Sequence, residues 1–140
     1  MTNRALAHSE ALRLLGGVSL GRIAFTIDAL PTIRPTNHIV DDGVVIVRGH
    51  RGVDLELKAA ADKVVAYSAD VIDPCTYVGW CVTLTGIALL IDHPSDRADL
   101  PTVVRPWGTH EQSYVIRIEP EVVTGFELLE RPGELSAKAR

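Results

Sequence analysis

The spacing of apolar positions changes after the first fifteen residues of the chain. Between Ala5 and Leu15 the apolar residues recur at roughly helical intervals, and a Gly-Gly pair follows, as is typical where helices end. This pattern predicts an N-terminal helix over about residues 4–15. From Val18 onward apolar and polar residues nearly alternate, as a strand with one buried face requires. The chain therefore predicts a leading helix followed by strands.

Most of the remaining chain consists of short β-like stretches separated by turn signals. A hairpin turn is predicted at Asp42-Gly43, and a short amphipathic helix is predicted to begin near Gly52. The stretch 77–91 is long enough for one strand or for two strands joined at Gly86. Strands and helices do not alternate regularly, which favours a mainly β, small antiparallel barrel of six to seven strands with a few helices. The predicted strands cover residues 18–27, 32–40, 44–47, 64–71, 77–91, 114–118 and 122–126.

Length and composition limit the class of protein. The 140 residues, with 46% hydrophobic and 23% charged residues, suffice for one folded domain and exclude global disorder. The predicted organisation is a single domain over residues 1–140, with the barrel over about residues 18–128 and a flexible tail over residues 131–140. A formal net charge of −4 argues against nucleic acid as a partner. The most apolar stretch, Trp80–Ile91, is too short for a membrane-spanning helix, so no membrane partner is expected.

The cysteines and histidines argue against several kinds of site. The two cysteines, Cys75 and Cys81, are too few for a disulfide framework, and with no recognisable secretory signal they favour the cytoplasm. The histidines lack paired metal-ligand spacing, so no metal site is predicted. His38 lies on a predicted strand and is interpreted as a buried, hydrogen-bonded residue rather than a ligand contact. Trp107, in a predicted loop, is a candidate to close over a planar ligand.

The segment from Gly21 to Gly49, GRIAFTIDALPTIRPTNHIVDDGVVIVRG, resembles the pyridoxamine 5'-phosphate oxidase-like, FMN-binding split-barrel family. The resemblance is carried by Gly-Arg-Ile-Ala at positions 21–24 and by Pro-Thr-Ile-Arg-Pro-Thr-Asn at positions 31–37. Three later stretches, GWCVTLTG, RPW and YVIRIEPEVVTG, look like the same family in the same order. The resemblance covers nearly the whole chain from Val18 to Phe126 and implies a split β-barrel of the FMN-binding type.

The resemblance also implies where a cofactor would bind. Arg34 matches the position whose guanidinium faces the flavin phosphate, and the backbone of Pro35, Thr36 and Asn37 matches the segment that runs along the isoalloxazine ring. Arginine is suited to phosphate because its guanidinium forms two parallel hydrogen bonds, although Arg34 alone could equally be an ordinary surface residue of a strand. The remaining expected cofactor contacts are Val47, Arg48, His50, Arg51 and Trp107.

One stretch departs from the family pattern. Related chains carry cations at the start of the helix after the third strand, whereas this chain has Asp54 and Glu56 there. Two acids oppose a bound phosphate unless their side chains point away. Arg48, His50 and Arg51 are the expected substitutes for the missing cations.

The function implied by the resemblance is an FMN-dependent oxidoreductase that acts on an unidentified small organic molecule. The flavin would carry the redox chemistry, so no catalytic side chain is assigned. A homodimer is expected, because a barrel this small has no interior room for a flavin and the cleft must form between subunits. The alternatives are an F420-dependent reductase that uses the same groove, a non-enzymatic flavin-binding or haem-binding protein, and a cofactor-free dimerisation module.

Overall fold

The computed structural model describes residues 2–50, 52–91 and 114–130. These residues form two helices and eight strands. The helices are α1 (His8–Gly16) and α2 (Asp54–Ala60). The strands are β1 (Thr2–Ala5), β2 (Leu20–Ile27), β3 (Leu30–Asp41), β4 (Val44–Arg48), β5 (Val64–Ile72), β6 (Gly79–Ile91), β7 (Val115–Ile118) and β8 (Val122–Leu129).

Six of the strands close into an antiparallel barrel. Their order is β6-β5-β2-β3-β4-β7, and β7 pairs back onto β6. Closure depends on the long strand β6, whose residues 79–85 pair with β8 and whose residues 88–91 pair with β7. The change of partner occurs around Gly86, so the stretch 77–91 contains one strand that pairs with β8 and then β7 on one side and with β5 on the other. The predicted split β-barrel is confirmed, with β1 and β8 added beside it.

Alternating side chains of the strands fill the barrel, as the sequence pattern requires. On β2, Ile23 and Phe25 are buried while their neighbours Arg22 and Thr26 are exposed. Helix α1 buries Leu12 and Leu15 against the same core, and α2 contributes residues from its inner face. The α2 residues in the core are Leu57 and Ala60, preceded by Val53.

The N-terminal prediction was wrong at its first residues. Helix α1 begins at His8, and residues 2–5 form β1, which pairs with β8 from Thr2 opposite Leu129 to Ala5 opposite Phe126. Backbone pairing with a strand more than a hundred positions away outweighs the local helical pattern. Arg4 adds hydrogen bonds to Glu127 across this pair. Residues 131–140, predicted to be a flexible tail, lie outside the described residues.

Candidate functional site

The barrel has an open backbone edge on β3. Strand β4 pairs with β3 only over residues 37–41, whereas β2 pairs with residues 30–37 of β3 on the other side. The first half of β3, up to Thr36, therefore has no neighbouring strand on its β4 side among the described residues. An extended backbone edge offers hydrogen-bonding groups to a ligand. Residues 34–36 of the segment for which the sequence predicted cofactor contacts lie at this edge, and Asn37 pairs with Arg48 where the edge ends.

Arg34 lies at the end of the barrel beside α2. Its side chain leaves β3 on the same face as that of Thr36, two residues later, but it is 42% exposed because it has reached the barrel end. Its Nε donates to Oε1 of Glu56 at 2.8 Å, and its Nη2 donates to Oε2 of Glu56 at 3.0 Å. Its Nη1 donates to the carbonyl oxygen of Ile33 at 2.9 Å. Arg34 is thus fixed in place by a carboxylate and by its own strand.

His50 meets the same edge from the end of β4. Its Nε2 lies 3.1 Å from the carbonyl oxygen of Pro35, and because a carbonyl can only accept, Nε2 is the donor. The structure therefore brings together Arg34, Pro35 and His50, three of the predicted cofactor contacts.

Asn37 and Arg48 form a second group further along β3. They lie opposite each other in the register of β3 and β4. Three residues of strand place Asn37 about 10 Å from Arg34, on the other face of β3. The Nδ2 of Asn37 donates to the carbonyl oxygen of Ser19 at 3.4 Å, while its Oδ1 is buried and has no hydrogen-bond partner among the described residues. This oxygen can accept a hydrogen bond from a bound molecule.

Two predicted contact residues direct their side chains into the core. Val47 is fully buried in the hydrophobic cluster of the barrel. Thr36 is also fully buried, and its hydroxyl lies 3.5 Å from the hydroxyl of Tyr67. The side chains of both residues are therefore closed to a ligand. The backbone of Val47 is closed as well, because Val47 pairs with His38 of β3 and with Ile116 of β7. Arg51 and Trp107, the remaining predicted contacts, lie outside the described residues.

Asp54 does not oppose a ligand at this site, contrary to the expectation from sequence. Asp54 is only 6% exposed, and its Oδ1 accepts a hydrogen bond from the backbone N–H of Tyr114 at 3.0 Å. Gly49 makes room for it, because a Cβ at that position would collide with the Asp54 carboxylate. The acid therefore joins the start of α2 to Tyr114, the residue before β7. Of the two acids, only Glu56 faces Arg34.

His38 has the structural role that the sequence indicated. Its ring is 1% exposed, with Nε2 at 2.8 Å from the carbonyl oxygen of Leu15 and Nδ1 at 2.6 Å from the Tyr67 hydroxyl. Burial lowers the pKa of His38 and raises that of Tyr67, so both groups stay neutral. The Tyr67 ring requires Gly21, because a Cβ there would lie 2.6 Å from it. These residues stabilise the barrel interior.

The pairing of Arg34 with Glu56 was missed at the level of sequence. The two residues are 22 positions apart, and no local spacing signals the contact. The only signal in the sequence was the acid itself. Glu56 lies on the helix that was predicted after β4, the strand that follows the strand of Arg34. Within residues 2–50, 52–91 and 114–130, no group of three or more His, Cys, Asp or Glu side chains is arranged to hold a metal ion. In the same ranges, no helix is long and apolar enough to cross a membrane.

Comparison with known proteins establishes the family of this chain. The family model described as pyridoxamine 5'-phosphate oxidase matches residues 7–127. The chain belongs to this family. It is 42% identical over 128 residues to the uncharacterized protein Rv0080 of Mycobacterium tuberculosis, covering 89% of this chain and 84% of that protein.

Solved structures place this family member among related barrels. The FAD binding protein from Mycobacterium smegmatis superposes with a TM-score of 0.75 at 29% identity, covering 91% of this chain and all of the other. The FAD and heme binding protein from the same organism has a TM-score of 0.63 at 14% identity, covering 98% of this chain and 80% of the other. At that lower identity the likeness concerns the fold alone.

Proposed function

We propose that this protein binds a flavin along the open edge of β3 and acts as a flavin-dependent oxidoreductase on a small organic molecule. The observation that carries the proposal is the position of Arg34, a half-exposed guanidinium held at the end of an open strand edge. Membership of the pyridoxamine 5'-phosphate oxidase family and the similarity to an FAD binding protein support it. FMN, the cofactor expected from the sequence, is the first ligand to test.

The residues at this edge fit a flavin at two points. The N–H groups of Arg34 suit phosphate oxygens, and the neighbouring His50 donates through Nε2 to the carbonyl oxygen of Pro35, which holds the residues after β4 against this edge. About 10 Å along the strand, the buried Oδ1 of Asn37 suits the ring N–H of the isoalloxazine pyrimidine edge. A bound flavin would supply hydride transfer at its N5 position. This chain's own residues would bind the phosphate, orient the ring and limit its access to water.

A flavin titration tests this proposal. Arg34→Ala should weaken FMN binding by about 1.5–3 kcal/mol, the usual scale for a lost charge-assisted hydrogen bond. Arg117→Ala is the matched control, because Arg117 is also an exposed arginine paired with a glutamate, on a different strand. Flavin fluorescence and the absorption spectrum of the purified protein report binding. A protein that binds neither FMN nor FAD would refute the proposal, and deazaflavin or haem bands would favour the corresponding alternative.

We also propose that the protein is a cytoplasmic homodimer. The barrel interior is filled by side chains such as His38 and Tyr67, so a flavin at the strand edge needs a second surface to cover it. Exposed apolar residues of the outer sheet face, Leu20, Ile33, Val122 and Phe126, support burial against another subunit. The free thiols of Cys75 and Cys81 support a reducing compartment. Light scattering at micromolar concentration should give twice 15.2 kDa, and a stable monomer would contradict the dimer.

A further inference from the structure

The backbone groups of β3 point alternately to its two sides. In an antiparallel pair, hydrogen-bonded and non-hydrogen-bonded positions alternate, so every second residue of a strand bonds to a given neighbour. The N–H of His38 donates at 2.9 Å to the carbonyl oxygen of Ser19, the residue before β2. Even-numbered residues of β3 therefore direct their N–H and C=O groups to β2. The odd-numbered residues Pro31, Ile33 and Pro35 direct theirs to the open edge.

The two prolines leave one backbone donor at this edge. Proline has no backbone N–H, so Pro31 and Pro35 present only carbonyl oxygens. The carbonyl of Pro35 accepts from His50, and that of Ile33 accepts from Nη1 of Arg34. Prolines at an edge oppose the addition of another strand, so a β-strand is not the expected occupant. Over residues 31–35 the donor that remains at the edge is the N–H of Ile33, which β4 does not reach.

The guanidinium of Arg34 lies against the same residue. Its Nη1 donates to the carbonyl oxygen of Ile33 at 2.9 Å, and the N–H and C=O of one strand residue point to the same side. Of the five N–H donors of Arg34, three are engaged by Glu56 and Ile33, which leaves one on Nη1 and one on Nη2 without an acceptor among the described residues. Ile33 is 61% exposed, so the edge is open to a ligand.

This combination of donors suits an anion with several oxygens. Arg34 and Glu56 together carry no net charge, so an anion here depends on hydrogen bonds more than on net attraction. Hydrogen bonds to a charged acceptor are the strong ones. The N–H of Ile33 belongs to a strand that β2 already holds in place, so it is ordered before a ligand binds.

We propose that the backbone N–H of Ile33 is a second anion donor, which holds one oxygen of a phosphate while Arg34 holds others. The inference rests on the proposed flavin site, because it makes the flavin phosphate the occupant. It extends that site to a residue whose side chain takes no part. Pro31 and Pro35 serve the same site, because they keep other strands away from this N–H.

The first test removes this one N–H by the variant Ile33→Pro. The fold already holds prolines two residues away on each side, at equivalent positions of the same edge. Ile33→Val is the matched control, because it keeps the N–H and a branched apolar side chain. Dissociation constants for FMN and riboflavin are measured by fluorescence titration. We expect Ile33→Pro to weaken FMN binding about tenfold and to leave riboflavin, which has no phosphate, unchanged. Ile33→Val should change neither constant.

The second test uses the wild-type protein, so it does not depend on the folding of a proline variant. Protein that contains isotope-labelled isoleucine gives one backbone amide NMR signal for each isoleucine, and the signal lost in Ile33→Val is that of Ile33. Inorganic phosphate should shift this signal to lower field, as expected for an N–H that donates to an anion. The shift should be absent in Arg34→Ala, because both donors are needed to hold the phosphate.

The outcomes separate this inference from the proposed function. Equal FMN affinities for Ile33→Pro and Ile33→Val, or equal losses for FMN and riboflavin, would overturn the role of this N–H while leaving flavin binding intact. An Ile33 signal that phosphate leaves in place would overturn it as well. A shift with phosphate in a protein that binds no flavin would support the anion site and refute the proposed function. Circular dichroism checks that Ile33→Pro is folded before its constants are compared.

Discussion

Lowering the pH from 7 towards 5 should destabilise the protein through His38, the buried histidine of the barrel interior. The carbonyl oxygen of Leu15 can only accept, so the proton lies on Nε2, and Nδ1 accepts from the Tyr67 hydroxyl. Burial disfavours a second proton on this ring, so it is neutral in the folded protein near pH 7. Burial holds its pKa below the usual value of 6.5, and the hydrogen bond to Leu15 offsets only part of that effect.

The direction and size of the effect follow from proton linkage. The unfolded chain, with the higher histidine pKa, takes up the proton first as the pH falls. The contribution of His38 to stability is complete above about pH 6.5, decreases below it, and levels off below the pKa of the folded state. Because one proton is involved, the slope cannot exceed about 1.4 kcal/mol per pH unit. Protonated His38 could still donate to Tyr67, so the cost comes from burying the charge.

Urea unfolding at several pH values between 7.5 and 5 measures this slope. His38→Gln keeps a donor and an acceptor in a side chain that does not titrate, so its unfolding free energy should change less across this range than that of the wild-type protein. His8→Gln is the control, because His8 is exposed at the start of α1 and its removal should leave the wild-type slope in place. If the unfolding free energy of the wild type and of His38→Gln changed equally with pH, this account of the buried ring would be refuted.

Two further predictions concern hydrogen bonds that hold the barrel together. Tyr67→Phe should lower the free energy of unfolding by about 1–3 kcal/mol, because it leaves buried Nδ1 of His38 without its donor, and urea unfolding at pH 7.5 measures the loss. Asp54→Ala should lower the free energy of unfolding by a similar amount, because it removes the acceptor for the N–H of Tyr114. Glu56→Ala should lower it by at most about 1 kcal/mol, because the ion pair of Glu56 is partly exposed. Equal losses for the two acids in thermal unfolding would contradict the placement of their side chains.

The sequence predicted those features of the fold that arise from local patterns. Alternation marked the barrel strands, and the turn at Asp42-Gly43 and the short helix after Gly52 were found in the expected places. The strand Thr2–Ala5 was missed because its partner among the described residues is β8, and pairing between distant segments leaves no periodic signal in four residues. The candidate site was predicted in part, because chain order locates Arg34 and Asn37 on a strand. It does not fix which neighbour each side chain meets.

The two acids of α2 show why chain order does not fix the neighbour that each side chain meets. Residues two positions apart on a helix do not face each other, so Asp54 and Glu56 leave the helix in different directions. One is buried against β7 and the other reaches Arg34 at the open edge. Their sequence neighbourhood is the same, yet a change at residue 54 should act on stability and a change at residue 56 on flavin affinity at Arg34. Because the two effects are carried by separate side chains, ligand affinity at this edge can change while the barrel stays intact. Measuring unfolding and flavin affinity on both variants tests that separation directly.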